Sequence, residues 1–133
     1  MTERIKTIVV NAIAIGLICL LLFFAGTWWR MQAQFALGEA AQRHSDFTGA
    51  VAGYESAIHM YIPFNDTIEK SAQQLWNIGE TNERLGDINR ALIAYRALRS
   101  SFYADRWLVT PGMDWIARCD KKIAALVPLQ KER

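Results

Sequence analysis

Residues 37–57 read LGEAAQRHSDFTGAVAGYESA, and residues 78–98 read IGETNERLGDINRALIAYRAL. The two align without a gap at an offset of 41. Gly38 matches Gly79, Glu39 matches Glu80, Arg43 matches Arg84, Asp46 matches Asp87, Ala50 matches Ala91 and Tyr54 matches Tyr95. Near the middle of each copy stands a turn-forming pair, Ser45-Asp46 or Gly86-Asp87. A unit of helix, tight turn and helix that recurs at a fixed period marks a repeat architecture. The fold class that follows is all-α.

Working outward, the first hairpin begins with a helix from about residue 30 to His44, and its second helix runs from Phe47 to about Ile62. Pro63 stops it, because the residue before a proline disfavours the helical region. Asp66-Thr67-Ile68-Glu69 reads as a capping box and opens a third helix to about Leu85. A fourth is expected from Ile88 to about Ser101, and Tyr103 to Val109 reads as a loop. Thr110 then caps, and Pro111 suits the first position of a last helix. That helix is expected to end near Val127, before Pro128 and a charged tail (128–133). Trp107, Trp115, Ile116, Ile123 and Leu126 are the candidates to cover the open end of the stack.

These residues resemble the tetratricopeptide repeat (TPR). That family pairs an apolar residue and Gly in one helix with a small residue ahead of an aromatic in the next, joined by a short turn. Leu37-Gly38, Ala50, Tyr54 and Ala57 match, as do Ile78-Gly79, Leu85-Gly86-Asp87, Ala91 and Tyr95. Gly and Ala let paired helices approach, and the aromatic fills the gap beside them. The resemblance covers about Met31 to Tyr103. It departs from the family in its period, 41 rather than about 34. The usual first-helix Trp position holds Gln34 and Leu75, and two repeats are fewer than the three or so such stacks need. The TPR-like domain (30–127) would therefore depend on its last helix as a cap.

The resemblance implies a partner groove on the concave face of the first helices. Its residues would be Gln32, Phe35, Glu39 and Gln42, then Gln73, Trp76, Glu80 and Glu83. Some members grip a C-terminal carboxylate there with Lys, Arg and Asn. Glutamates instead point to a basic or apolar protein or peptide segment. Phe35 and Trp76 are the candidate anchors, with burial in the core as the alternative role.

On the N-terminal side, after a basic tail (1–6), residues 7–29 read TIVVNAIAIGLICLLLFFAGTWW. They carry no charge, and Asn11 is their one strongly polar side chain. About 20 apolar residues span a bilayer core. Ile8 to Phe24 holds twelve Ile, Leu, Val or Phe residues. At roughly 0.3–0.6 kcal/mol each they favour insertion by about 4–7 kcal/mol. A cleaved signal peptide has a shorter apolar region ending in a small-x-small site, and Ala25-Gly26-Thr27 before two tryptophans is a poor one. The expectation is a single-pass transmembrane helix in contact with the lipid bilayer. Arg4, Lys6 and the terminal amine lie before the span and Arg30 and Arg43 just after it, a balance that leans toward a cytoplasmic N-terminus. In a bacterial inner membrane that places the helical domain in the periplasm. Ala12, Gly16, Cys19, Phe23 and Gly26 share one helix face beside Asn11. Such a small-residue seam lets another membrane helix approach, so integral membrane protein subunits are the expected partners there.

The remaining composition narrows the functional class. The chain has 133 residues and a net charge of +2. Setting aside Arg4, Lys6 and Glu3 leaves 13 basic and 12 acidic residues, interspersed, which is no nucleic-acid surface. Cys19 and Cys119 are too far apart in the chain's layout to pair, and Cys119 reads as a small buried residue. No metal-ligand spacing, cofactor motif or catalytic constellation appears. His44 reads as a helix-end residue and His59 as a surface one. Arg84, Arg90, Arg96, Arg99 and the Lys121-Lys122 pair read as solvated charge. The functional expectation is a non-enzymatic, membrane-anchored adaptor or accessory subunit of a membrane protein complex. The alternative is a free-standing tethered receptor or chaperone-like module. The arrangement looks like bacterial inner-membrane TPR proteins with one N-terminal anchor, some of which attend the protein-export translocon; secretion machines, respiratory complexes and proton-driven envelope motors are equally open.

Overall fold

Thr7 to His44 contains no proline and only isolated glycines, and the backbone runs through it as one helix, α1 Glu3–Arg43. At 1.5 Å per residue it is about 60 Å long. In this computed structural model, which describes residues 2–60, 62, 65–105 and 112–130, every residue from 2 to 26 is exposed. Packing begins at Met31, which is fully buried. The exposed part includes an 18-residue window of mean hydropathy 2.8 with none of its residues buried. One described helix is thus long and apolar enough to cross a membrane.

Four shorter helices follow: α2 Phe47–His59, α3 Asp66–Arg84, α4 Ile88–Ala104 and α5 Met113–Gln130. Among the described residues there is no strand. The two tight turns are built alike. Asp46 caps α2 by accepting from Gly49 N at 3.0 Å, and Asp87 caps α4 by accepting from Arg90 N at 3.1 Å. The residue before each cap takes a positive φ, 57° at Ser45 and 80° at Gly86. Glycine adopts that conformation freely, whereas serine bears a steric cost.

Four expectations about helix ends change. α2 stops at His59, with Met60 as its C-cap, three residues before the expected Ile62. The cap of α3 is Asn65, whose side chain accepts from Thr67 N at 2.8 Å, one residue ahead of the expected Asp66. α4 continues to Ala104, and Asp105 is its C-cap. Pro128 lies inside α5 instead of ending it. In the last turn a proline removes one backbone bond, toward Ala124, and the helix closes two residues later. Pro63, Trp107, Thr110, Pro111 and the tail 131–133 lie outside the described residues.

The core is the stripe where these helices meet. Met31, Tyr54, Ile58, Leu75, Leu98, Phe102, Trp115 and Cys119 belong to one buried cluster. Ala91, Leu92, Tyr95 and Leu126 form a second, and Trp76 and Ile123 pack against both. α5 covers the far end with Trp115, Ile116 and Leu126 buried and Ile123 half-buried. α1 and α2 approach closely. A Cβ on Gly53 would stand 2.5 Å from Gly38 N and 2.6 Å from Gly38 Cα, so only hydrogen fits there.

Candidate functional site

The second hairpin, α3 with α4, presents a finished polar-aromatic cluster. Tyr95 is fully buried beside Gly79, where any Cβ would lie 2.5 Å from its ring. Its hydroxyl donates to Glu83 Oε2 at 2.9 Å. Burial raises the Tyr95 hydroxyl pKa, and the bond to the Glu83 carboxylate raises it further, so the phenol stays a neutral donor. The Trp76 ring lies tilted against Tyr95 at 5.1 Å and against Trp115 at 6.1 Å. Trp76 Nε1 donates to Glu80. Lys122, from α5, closes the arrangement. Its Nζ donates to Glu83 at 3.0 and 3.3 Å and stands 5.8 Å from the Trp76 ring centre and 6.0 Å from that of Tyr95. Two rings and a carboxylate thus hold one ammonium group.

The first hairpin, α1 with α2, repeats the frame 41 residues earlier. Tyr54 is fully buried, and its hydroxyl donates to Gln42 Oε1 at 2.6 Å. Phe35 lies tilted against it at 5.5 Å. The Tyr54 hydroxyl is pushed up to about 12 by burial, with Glu39 adding to the shift and Arg43 opposing it. Phe35, Gln42 and Tyr54 here stand for Trp76, Glu83 and Tyr95.

What covers the two frames differs. At matching positions α5 offers Trp115, Lys122 and Ile123, and α3 offers Gln74, Thr81 and Asn82. Ile123 packs against the cluster around Ala91. Asn82 leaves space over the matching Ala50. The result is a cleft of about 270 Å³, with Phe47, Ala50 and Ile78 among its walls and Thr81, Asn82 and Arg90 beside them. Arg90 lies over the Phe47 ring at 5.1 Å and pairs with Asp87 at 3.5 Å. A second space of about 200 Å³ lies among Glu39, Gln42, Arg43, Tyr54 and Gln74. Gln42 borders both.

The chain matches no family model, no curated protein and no solved structure.

The expected groove residues separate into two groups. Trp76, Glu80 and Glu83 come together under α5, where their polar atoms are engaged. Phe35, Glu39 and Gln42 come together on the open first hairpin. Gln32 donates to Thr67 Oγ1 at 2.6 Å and ties α1 to α3, while Gln73 is exposed and donates to Asn77 at 2.9 Å. Phe35 and Trp76 are both half-buried against the core, so each ring serves packing and lines its hairpin's face.

Sequence reading missed Thr81 and Asn82 as the cause of the gap, and Lys122 as its counterpart. Lys122 is half-buried and bonded to Glu83, not solvated charge. Extending the 41-residue offset from Thr81-Asn82 to Lys122-Ile123 is the signal that pairs them. Arg84, Arg90 and Arg96 are exposed, whereas Arg99 is half-buried and pairs with Asp120, and burial does not offset that bond's upward pull on its pKa. Cys119 is fully buried, which pushes its thiol up to about 12. The residues of the α1 seam, Asn11, Ala12, Gly16, Cys19, Phe23 and Gly26, are all exposed, and a Cβ at Gly16 or Gly26 would meet nothing within 4 Å.

Proposed function

We propose that this chain is a non-enzymatic adaptor or accessory subunit of a membrane protein complex. α1 anchors it in the bilayer, and a TPR-like domain of stacked helical hairpins docks partner proteins. The observation that carries this reading is the continuity of α1. The same helix that is exposed and apolar over residues 7–26 becomes the first packed helix of the domain by Met31. No hinge lies between them, so the domain is held at a fixed height and angle above the lipid.

The recurrence of one contact set at an offset of 41 supports the TPR-like assignment. Tyr hydroxyl to position 42 or 83, ring on ring, and Asp cap on the amide three residues on occur in both hairpins. The exposed seam around Gly16 supports contact with integral membrane subunits. The basic residues before the span favour a cytoplasmic N-terminus, which in a bacterial inner membrane places the domain in the periplasm.

The test is purification of tagged full-length protein from its native membrane in mild detergent, with mass spectrometry of what accompanies it. Integral membrane proteins in stoichiometric amounts are expected. Recovery of the chain alone, or with only traces of soluble proteins, overturns the subunit reading. A tethered receptor is the second reading, and the open cleft beside Gln42 is the observation that favours it.

A further inference from the structure

The two ends of the helical domain stand at different distances from the apolar part of α1. Gln32, three residues past Trp29, donates to Thr67 Oγ1 at 2.6 Å, which fixes the first turn of α3 beside the foot of the domain. Trp115 Nε1 donates to Glu69 at 3.0 Å, which brings the first turn of α5 beside that of α3. Gly112, just ahead of α5, lies against the Phe102 ring near the end of α4. α2 runs back down α1. A Cβ on Gly49 would lie 3.0 Å from Ala41 Cβ, and one on Gly53 would lie 2.5 Å from Gly38 N. His59, six residues beyond Gly53, therefore comes down to the level of the first packed turn of α1. The opposite end is marked as clearly. The cleft of about 270 Å³ joins Gln42 and the turn at Ser45-Asp46 to Thr81, Asn82 and Arg90. Gln130 donates to Asn89 at 2.8 Å, so α5 finishes at that end too.

These contacts set heights above the lipid. Three residues of helix rise about 4.5 Å. The headgroup layer on one side of a bilayer is about 5–7 Å deep. Trp28 and Trp29 are 45% and 71% exposed, and tryptophan rings prefer that layer. With the two rings placed there, Gln32 and its partner Thr67 fall within the same layer or at its outer edge. We infer that the near end of the domain, formed by the last turns of α2 and α4 and the first turns of α3 and α5, is seated among phospholipid headgroups and binds the bilayer surface directly. This deepens the anchoring part of the proposed function and rests on it.

The side chains at that end suit such a surface. Met113 is 66% exposed, and Tyr103 is exposed with Arg99 over its ring. Lys70 pairs with Asp66 at 3.2 Å, so charge there is balanced locally. Arg30, exposed and one residue past Trp29, stands at the level of the lipid phosphates. The far end differs: Arg43, Asp46, Arg84, Asp87 and Arg90 surround its two turns. α3 rises about 27 Å between Thr67 and Leu85. That end and its cleft thus stand in water, clear of the headgroups.

The experiment reconstitutes full-length protein into phosphatidylcholine vesicles and reads quenching of a bimane label by nitroxide lipids. Labels go on Met113→Cys and His59→Cys at the near end and on Leu85→Cys at the far end, each combined with Cys19→Ala. Cys119 is fully buried and closed to the reagent. A lipid with the nitroxide on its headgroup should quench both near-end labels at least threefold more strongly than the Leu85→Cys label. Iodide in the water should quench in the reverse order. His59→Cys keeps the test alive if Met113→Cys fails to fold. Wild-type protein labelled at Cys19, with the nitroxide in the acyl chains, reports on the anchor. Quenching at Cys19 with equal headgroup quenching of the near and far labels overturns the seat and keeps the anchor. A Cys19 label that escapes acyl-chain quenching overturns the anchor and the seat with it. Protein that is seated as inferred but purifies without membrane partners keeps the seat and loses the subunit reading.

Discussion

Tyr54 and Tyr95 occupy matching places in the two hairpins, and each hydroxyl reaches twelve residues back to an acceptor on the preceding helix. The acceptors differ in charge, Gln42 against Glu83. The rings beside them differ in size, Phe35 against Trp76. The helix laid over them differs most: α5 fills its frame with Trp115, Lys122 and Ile123, while α3 leaves space with Gln74, Thr81 and Asn82. A repeat therefore sets where helices go, and the residues of the next helix decide whether the frame is sealed or open. Sealing adds ring, ion and apolar contacts, so the second hairpin bears more of the stability and the first keeps the accessible surface.

The strongest way to break this comparison is to cut back each ring. Trp76→Ala removes a ring that touches both buried clusters and should cost about 3 kcal/mol, toward the low end for Trp because the site is only half-buried. Phe35→Ala, on the open side, should cost about half that. Urea unfolding of the detergent-solubilised protein measures both. Equal losses would mean that the α5 cover adds nothing at Trp76.

Next comes helix approach. Gly53 sits against the α1 backbone, and its counterpart in the second hairpin is the buried Ala94. Gly53→Ala must push α2 off α1 and should cost about 2 kcal/mol. Ala94→Gly relieves no clash and should cost about 1 kcal/mol, from helix propensity and lost packing. Comparable thermal midpoints for the two variants would show that the hairpins are spaced alike.

A smaller effect isolates the ion. Lys122→Met keeps the stem and loses the ammonium between Glu83, Trp76 and Tyr95, for an expected loss of about 1 kcal/mol. Thr81→Lys installs the same group on the first hairpin and should be neutral or slightly stabilising. A destabilised Thr81→Lys would deny that Gln42 and Glu39 can accept an ammonium.

The far ends of the hairpins differ in pH response. α4 ends on Asp105, whose carboxyl is pushed up to about 7 by burial, and its Oδ2 is buried with no hydrogen-bond partner among the described residues. The folded state then holds a proton that the unfolded chain has released. Stability should fall as pH rises from about 4 to about 7 and level off above that. Asp105→Asn should flatten that slope and raise the midpoint at pH 8. A wild-type midpoint that rises through this range contradicts the assignment.

Much of this was legible in the residues. The 41-residue offset located both turns and both buried tyrosines, since glycine and aspartate at a tight turn act through local backbone geometry. The apolar run marked the long exposed helix, since hydropathy is a sum over neighbours in the chain. The helix ends were less legible. Asn65 and Asp66 are adjacent cap formers, and only the backbone angles choose between them. Pro128 stands in a last turn that tolerates it.

What the chain could not disclose alone was the company each side chain keeps. Glu80 and Glu83 looked like a free acidic face, and Lys122 like solvated charge. The fold brings α5 across α3 and α4, and the ammonium replaces water with a carboxylate and two rings. Thr81 and Asn82 looked inconspicuous because a gap is a property of facing surfaces, not of a sequence. The sequence determined the five helices, their turns and the apolar reach of α1, because these follow from short-range sterics and composition. Only the tertiary structure decided which hairpin face is sealed and which is open, because that depends on contacts between residues far apart in the chain, such as Lys122 with Tyr95 and Glu83.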